Sequence, residues 1–296
     1  MSAASVQASA RLLGDIQRQT TVRLRQAGIA NAEQETIWLM EHALGLSRLQ
    51  ILTDVGRLID DGLWTVLDAL IIRRAQREPL QYLLGSQEFC GLEIAVTPAV
   101  LIPRPETALL VDAAFSHCAR RPNAVMADVG AGSGCIAVAL ASRIPNSTVW
   151  GTDISAAALV VAERNARRHG VDNRINFRVG DLFAALPLDR QGTFDAIVSN
   201  PPYIADAEIE SLQQEVARYE PRLALAGGAD GLNVYRRLAA DAWRWLRPQG
   251  LIAMEVGAGQ ADSVRAMFDD VGRYRLMRAD RDEAGIERVL AFARGS

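Results

Sequence analysis

The spacing of apolar residues changes character partway along the chain. From about residue 5 to 78 they recur at helical intervals. In AEQETIWLMEHALGL, Ile37, Met40 and Leu44 share one side, with Glu33, Glu35 and Glu41 between them. DGLWTVLDALIIRRAQ repeats the pattern with Leu63, Val66, Leu67, Leu70 and Ile71. Gly28, Gly45 and Gly62 read as breaks between short helices. The expectation is a small helical bundle over residues 1–78, with no residue pattern that points to chemistry.

After Pro79 the period shortens. In GLEIAVTPAV, Leu92, Ile94 and Val96 alternate with Glu93, Ala95 and Thr97, which is a strand pattern. With PLQYLLGSQEF before it, this predicts a β-hairpin over residues 79–102 that joins two domains. In LIPRPETALLVDAAF, Pro103 and Pro105 stiffen a turn, and a helix begins at Glu106 and Thr107. Strands and helices then alternate. AVMADVG, TVWGTD, INFRVGD, FDAIVSN and GLIAMEVG read as strands. CIAVALASRI, AAALVVAERNARRHG and DGLNVYRRLAADAWRWL read as helices. Such alternation predicts an α/β domain, residues 103–296, with a parallel, doubly wound sheet. Ligands of these sheets bind beyond the strand carboxyl ends, where Gly130, Asp153, Asp181 and Asn200 fall.

Composition narrows the picture. A chain of 296 residues has room for about two domains. With 32 Lys and Arg against 35 Asp and Glu, the net charge of −3 argues against an extended, nonspecific grip on nucleic acid. Cys90, Cys118 and Cys135 are odd in number and far apart, so they form neither a disulfide framework nor a zinc knuckle, and they suit a reducing cytosol. His42, His117 and His169 do not cluster, so no metal site is expected. The segment MSAASVQASARLLGDIQRQT lacks the basic start and apolar core of a signal peptide. No run approaches the ~20 apolar residues that span a bilayer. The expectation is a cytoplasmic protein without a membrane segment.

The strand ends carry the candidate chemistry. DVGAGSGC sets Gly130, Gly132 and Gly134 between a strand and a helix, where glycine permits a tight turn and close approach to a ligand. The spacing is G-x-G-x-G. Cys135 stands where a dinucleotide fingerprint needs its third glycine, which argues against a nicotinamide oxidoreductase. Asp153 ends the next strand, 23 residues after Gly130, where a carboxylate can accept from two ribose hydroxyls. Asp181 ends the third, where it can accept from an adenine amino group. Either Asp alone can equally be a helix cap or turn residue. Together with the glycine loop, the set resembles the S-adenosylmethionine site of Rossmann-like methyltransferases, and that cofactor has no phosphate for a fingerprint to bind.

The fourth strand ends in VSNPPYI. Pro201 and Pro202 cannot donate to a ladder, so the strand stops and carbonyl oxygens are left free. An amide or aromatic amine nitrogen is a poor nucleophile because its lone pair is delocalised. A site that methylates one needs two acceptors to hold both N–H groups. The Asn200 side-chain oxygen and the Pro201 carbonyl can supply them, and Tyr203 can pack on a flat substrate group. Catalysis then comes mainly from positioning. Asn-Pro-Pro-Tyr resembles the motif of methyltransferases that act on adenine, guanine or glutamine nitrogen, and does not choose among them. A methyltransferase of nucleic-acid amines, one for another amide, guanidine or amine, and a cofactor-binding module without catalysis stand as alternatives.

Longer segments make the choice. REPLQYLLGSQEFCGLEIAV, VLIPRPETALLVD, DVGAGSGCIAVALA, VSNPPYI and YEPRLALAGGADGLNVYRRL resemble, in order, the family of release-factor glutamine methyltransferases. This resemblance implies a Rossmann-like class I methyltransferase domain with a seven-stranded, mostly parallel sheet. It implies that the helical domain and hairpin help hold a class-1 peptide chain release factor. The methyl group of S-adenosylmethionine would go to N5 of the glutamine in that factor's Gly-Gly-Gln loop, leaving S-adenosylhomocysteine. By position, Gly130, Ala131, Gly132, Ser133, Gly134, Asp153, Asp181, Leu182 and Asn200 would contact the cofactor. Asn200, Pro201, Pro202 and Tyr203 would grip the glutamine amide. A monomer without direct nucleic-acid contacts is expected. Two positions depart from the family pattern. Ala108 follows IPRPET where a second acid is common, and Leu182 follows Asp181 where an aromatic is common.

Overall fold

The structure, a computed structural model, describes residues 11–295. The opening MSAASVQASA, on which part of the N-terminal reading falls, lies outside the described residues. The chain divides into two compact units. One runs to Gly85 and also takes in Gln214–Tyr219; the other comprises Ser86–Gln213 and Glu220 onward.

In the first unit, Arg11–Leu12 (β1) pairs with Leu58–Ile59 (β2) beside helices Leu13–Gln26 (α1), Ala32–Leu44 (α2), Arg48–Thr53 (α3), Asp61–Ala75 (α4) and Leu80–Leu84 (α5). Local chemistry sets their ends. The α2 helix stops at Gly45 in the left-handed conformation. Ser47 and Gln50 cap α3 reciprocally. Asp60 accepts from Leu63 N at 2.9 Å and starts α4, so Gly62 falls inside a first turn and breaks nothing. Leu13, Ile16, Leu24, Leu39, Met40, Leu67 and Ile71 form the core. The short helix Gln214–Tyr219 is fixed here by Arg74, which is 5% exposed. Arg74 donates to Glu35 Oε2 at 2.6 Å, to Glu215 Oε1 at 3.1 Å and to the Glu78 carbonyl at 3.2 Å.

The second unit opens with the hairpin Ser86–Phe89 (β3) and Leu92–Ala95 (β4). Helices Ala108–Cys118 (α6), Cys135–Arg143 (α7) and Ala156–Arg168 (α8) alternate with strands Val125–Val129 (β5), Thr148–Asp153 (β6), Ile175–Val179 (β7) and Phe194–Ser199 (β8). After Gln214–Tyr219 (α9) come Asn233–Trp245 (α10), Leu246–Glu255 (β9), Ala261–Val271 (α11), Tyr274–Arg281 (β10) and Glu287–Arg294 (β11). The seven strands lie in the order β10-β11-β9-β8-β5-β6-β7, and only β11 runs against its neighbours. Alternate strand residues feed two cores. Met126, Ala196, Val198 and Ala253 meet α6 and α7 on one face. Ala127, Ile197, Ile252 and Met254 meet Tyr235, Leu238 and Phe268 of α10 and α11 on the other. This is the expected α/β architecture with a mostly parallel seven-stranded sheet. From β5 the chain builds outward to β6 and β7, then returns to β8 on β5's other side. The carboxyl ends of β5 and β8 therefore flank the switch point, where ligands of such sheets bind.

Candidate active site

A cavity of about 270 Å³ lies over those strand ends. Gly130, Ala131, Gly132 and Ser133 from the loop after β5, Asp153, Asp181, Leu182, Asn200, Pro201 and Pro202 all line it. Gly134 and Tyr203 do not. A Cβ on Gly134 would sit 2.9 Å from the Ala162 Cβ, at a φ of +74°, so this glycine lets the loop pack on α8. The Tyr203 ring packs against the α10–α11 core, with its hydroxyl 3.5 Å from Glu255 Oε1. Burial first, then the Glu255 charge, raises this phenol to about 12. Its side chain braces the loop from beneath.

Four amides of the glycine loop are already bonded. Gly130 N and Ala131 N donate to the Thr152 carbonyl at 2.8 and 2.9 Å, and Gly134 N to the Ala131 carbonyl at 2.7 Å. Gly132 N donates to Asp153 Oδ2 at 2.8 Å, while Ser155 N donates to Oδ1 at 2.8 Å. Those four N–H groups offer no phosphate cradle. Each Asp153 oxygen retains a lone pair for a further donor. Asn165 anchors the loop from behind, its Nδ2 donating to the Ser133 carbonyl at 2.9 Å.

Asp181 already has one partner. Its Oδ2 accepts from Arg237 Nη2 at 2.8 Å, and Arg237 also lines the cavity. Leu182 has a φ of +48°, a left-handed conformation that costs a non-glycine residue about 1–2 kcal/mol. Beneath the loop, Asp128 is fully buried. Its Oδ2 accepts from Ala137 N at 3.0 Å, and its Oδ1 has no partner. Burial raises this carboxyl to about 7.

At the end of β8, Ser199 Oγ donates to the Val129 carbonyl at 2.6 Å and ties the two strand ends together. Asn200 Nδ2 donates to Thr107 Oγ1 at 3.2 Å, and Thr107 donates to Glu255 Oε2 at 2.6 Å. Burial pushes Glu255 up from its ordinary value, and the Thr107 hydrogen bond pulls it back. Among the described residues, no protein hydrogen bond takes up Asn200 Oδ1 or the Pro201 carbonyl. The loop is templated by a distant segment. Ile204 N donates to the Leu225 carbonyl at 3.0 Å, and Gly227 N to the Ile204 carbonyl at 2.8 Å. Gln260 Nε2 holds the Tyr203 carbonyl at 2.9 Å. A Cβ on Gly231 would come within 2.4 Å of that carbonyl, so glycine is needed there. Glu220 accepts from Ile102 N at 3.2 Å and pairs with Arg104, joining the segment to IPRPET.

Thr107, Asn165, Glu255 and Gln260 carried no sequence signal of their own, though Thr107 lies within IPRPET. Cys90, Cys118 and Cys135 are free thiols. Among the described residues, no group of three or more His, Cys, Asp or Glu is arranged to hold a metal ion. None of their helices is long and apolar enough to cross a membrane.

Known proteins are similar to this chain in sequence and in fold. A family model described as the PrmC N-terminal domain matches residues 15–85, and one described as the methyltransferase small domain matches residues 106–227. A release factor glutamine methyltransferase of Geobacter sulfurreducens is 46% identical over 268 residues, covering 90% of this chain and 91% of that protein. Its counterpart in Gloeobacter violaceus is 43% identical over 289 residues, covering 94% of this chain and 100% of that protein. A crystal structure of a methyltransferase from Pyrococcus furiosus superposes with a TM-score of 0.52 at 20% identity, over 70% of this chain and 90% of that one, a likeness of fold.

Proposed function

The chain belongs to the family of release factor glutamine methyltransferases, and we propose that it methylates N5 of the glutamine in the Gly-Gly-Gln loop of class-1 peptide chain release factors. The methyl donor is S-adenosylmethionine. The reading extends to a cytoplasmic monomer whose N-terminal helical domain, residues 1–78, and hairpin, within 79–102, help to hold the release factor, while residues 103–296 carry the chemistry.

The observation that carries it is the pair of acceptors, Asn200 Oδ1 and the Pro201 carbonyl, left without protein partners beside the cavity. A primary amide has two N–H groups, and two fixed acceptors match them. Holding both turns the nitrogen to one orientation and increases its electron density. The proline pair keeps the carbonyl still, and Gln260 with Gly231 holds the following peptide. Preorganisation of this kind lowers the barrier without a base of tuned pKa.

The residues also fit the donor. The spent amides of the glycine loop suit a cofactor without phosphate. The remaining lone pairs of Asp153 suit two neighbouring ribose hydroxyls. Leu182 and Ile154 give apolar walls for a flat base, and Asp181 Oδ1 can accept from its amino group. When bound, S-adenosylmethionine supplies an electrophilic methyl carbon and is left as S-adenosylhomocysteine. Gly130, Ala131, Gly132 and Ser133 shape its seat, with Gly134 setting the loop on α8.

The test is transfer of label from methyl-labelled donor to a purified release factor. Label should appear on the native factor and be missing from one whose Gly-Gly-Gln glutamine is replaced. No transfer to the native factor would sink the reading.

A further inference from the structure

Asn200 can serve as an acceptor only if its amide is turned the right way. Rotating the side chain by half a turn about its last bond would exchange Oδ1 for Nδ2. An N–H of Asn200 would then face an N–H of the substrate, donor against donor. Something must fix the choice.

Three side chains brought together from distant parts of the chain do so. Glu255 ends β9, between β8 and β11, and its carbonyl is held by the Tyr235 hydroxyl at 2.9 Å. In its ionised form, which the Thr107 hydrogen bond favours against the effect of burial, its carboxyl group accepts hydrogen bonds and cannot give one. Thr107, in the turn that opens α6, has a single hydroxyl proton and directs it to Glu255 Oε2 at 2.6 Å. Both residues are buried, 2% and 3% exposed, so water does not compete. With its proton committed, Thr107 Oγ1 can only accept from Asn200, which therefore presents Nδ2 at 3.2 Å.

We infer that Thr107, polarised by Glu255, is a positioning residue that sets the Asn200 amide so that Oδ1 faces the substrate nitrogen. Thr107 itself lines the cavity, and in this role it acts through Asn200 and not on a reactant. Its reach is through Asn200, so the inference rests on the reading that Asn200 holds the substrate amide. It also gives the last residue of IPRPET a physical task, separate from starting a helix.

Two pairs of variants isolate the hydroxyl. Thr107→Val differs from the native residue chiefly by losing it while keeping the branched shape. Thr107→Ala differs from Thr107→Ser by the same atom with less bulk, which keeps the test alive if valine disturbs folding. Each is assayed with release factor and methyl donor beside Asn200→Ala. The hydroxyl-bearing member of each pair should exceed its partner in kcat by roughly 10- to 100-fold, the scale expected when a reacting group is misoriented. The KM for the methyl donor should differ within each pair by no more than about threefold, because the loss is one of orientation. Thr107→Ser should recover most of the native rate. Equal kcat values within both pairs, with Asn200→Ala inactive, would overturn this inference alone. Thr107→Ser as slow as Thr107→Val would also overturn it, by assigning the effect to the methyl group. Native activity in Asn200→Ala would remove the underlying reading and this inference with it.

Discussion

Asn165, on α8, joins two segments that are far apart in sequence. It accepts from Ala95 N at 2.8 Å, donates to the Ala95 carbonyl at 3.0 Å and donates to the Ser133 carbonyl at 2.9 Å. The end of the hairpin and the glycine loop are thus pinned to one fully buried amide.

Replacing Asn165 with Leu should therefore cost both stability and donor affinity. Three buried backbone groups lose their partner, at about 1–3 kcal/mol each in the worst case, with partial relaxation. An overall loss of roughly 2–4 kcal/mol is expected in urea unfolding. Calorimetric titration should find the methyl donor bound more weakly, since Ser133 is released. Asn165→Asp should also be damaging, because a carboxylate cannot donate to either carbonyl.

Arg74 gives a prediction for the helical unit. Its guanidinium separates the carboxylates of Glu35 and Glu215, which are themselves largely buried. Arg74→Met removes that positive charge, leaving Glu35 without its partner and Glu215 with Arg77 alone, at 2.9 Å. Breaking a buried pair in this way costs about 3–5 kcal/mol. The lower melting temperature should come with moderately faster tryptic cleavage near Arg218, because Gln214–Tyr219 keeps only the Arg77–Glu215 pair at 2.9 Å and the Tyr219 hydroxyl bond to the Gln76 carbonyl at 2.8 Å. Restoring charge balance with a Glu215→Gln second change should recover part of the loss.

Much of this architecture could be read in the sequence. Five strands and three helices between residues 124 and 257 follow from the apolar runs and their alternation, whereas the six-residue helix Gln214–Tyr219 has no apolar period to show. Other elements escaped as well. PLQYLL reads as an arm of a hairpin, yet Leu80–Leu84 is a helix of five residues, too short for a period to emerge, ended by Gly85 at positive φ. Tyr274–Arg281 escaped because it is an edge strand with register shifts, and Leu276 and Met277 are exposed. The attachment of Gln214–Tyr219 to the first unit rests on contacts of Glu215 with Arg74 and Arg77 and of Tyr219 with Gln76, each more than 130 positions apart, which no local pattern reveals.

The site was legible to a similar degree. The glycine loop, Asp153 and Asn-Pro-Pro-Tyr are compact motifs whose chemistry is local. Tyr203, expected to pack on the flat substrate group, has its ring against the α10–α11 core, because a motif gives the order of side chains and not the face each takes. Asn165 and Glu255 were hidden because each sits in an ordinary helix or strand run. Their importance comes from what folds against them.

Asp128 predicts a pH dependence of stability. Its folded carboxyl is raised to about 7 from an ordinary value of 3.8. Between those values the folded state holds a proton that the unfolded state has released, so this group's stabilising contribution is full below about pH 3.8 and is lost as pH rises to about 7. The change is on the order of a few kcal/mol, at 1.36 kcal/mol for each pKa unit. Denaturant unfolding of native protein and Asp128→Asn at pH 5 and pH 8 isolates it. The native protein should lose more stability over that interval than the variant, and parallel losses would contradict the assignment.

The central claim is that Asn200 acts on the glutamine amide and does little to hold the donor. Single-turnover methyl transfer by Asn200→Ala, at saturating release factor and S-adenosylmethionine, tests it most directly when donor affinity is measured on the same preparation. Loss of one preorganised acceptor should slow transfer by roughly 100- to 1000-fold, with the donor Kd changed by no more than about threefold. A variant that transfers at the native rate, or one whose rate and donor affinity fall together by the same factor, would contradict the account.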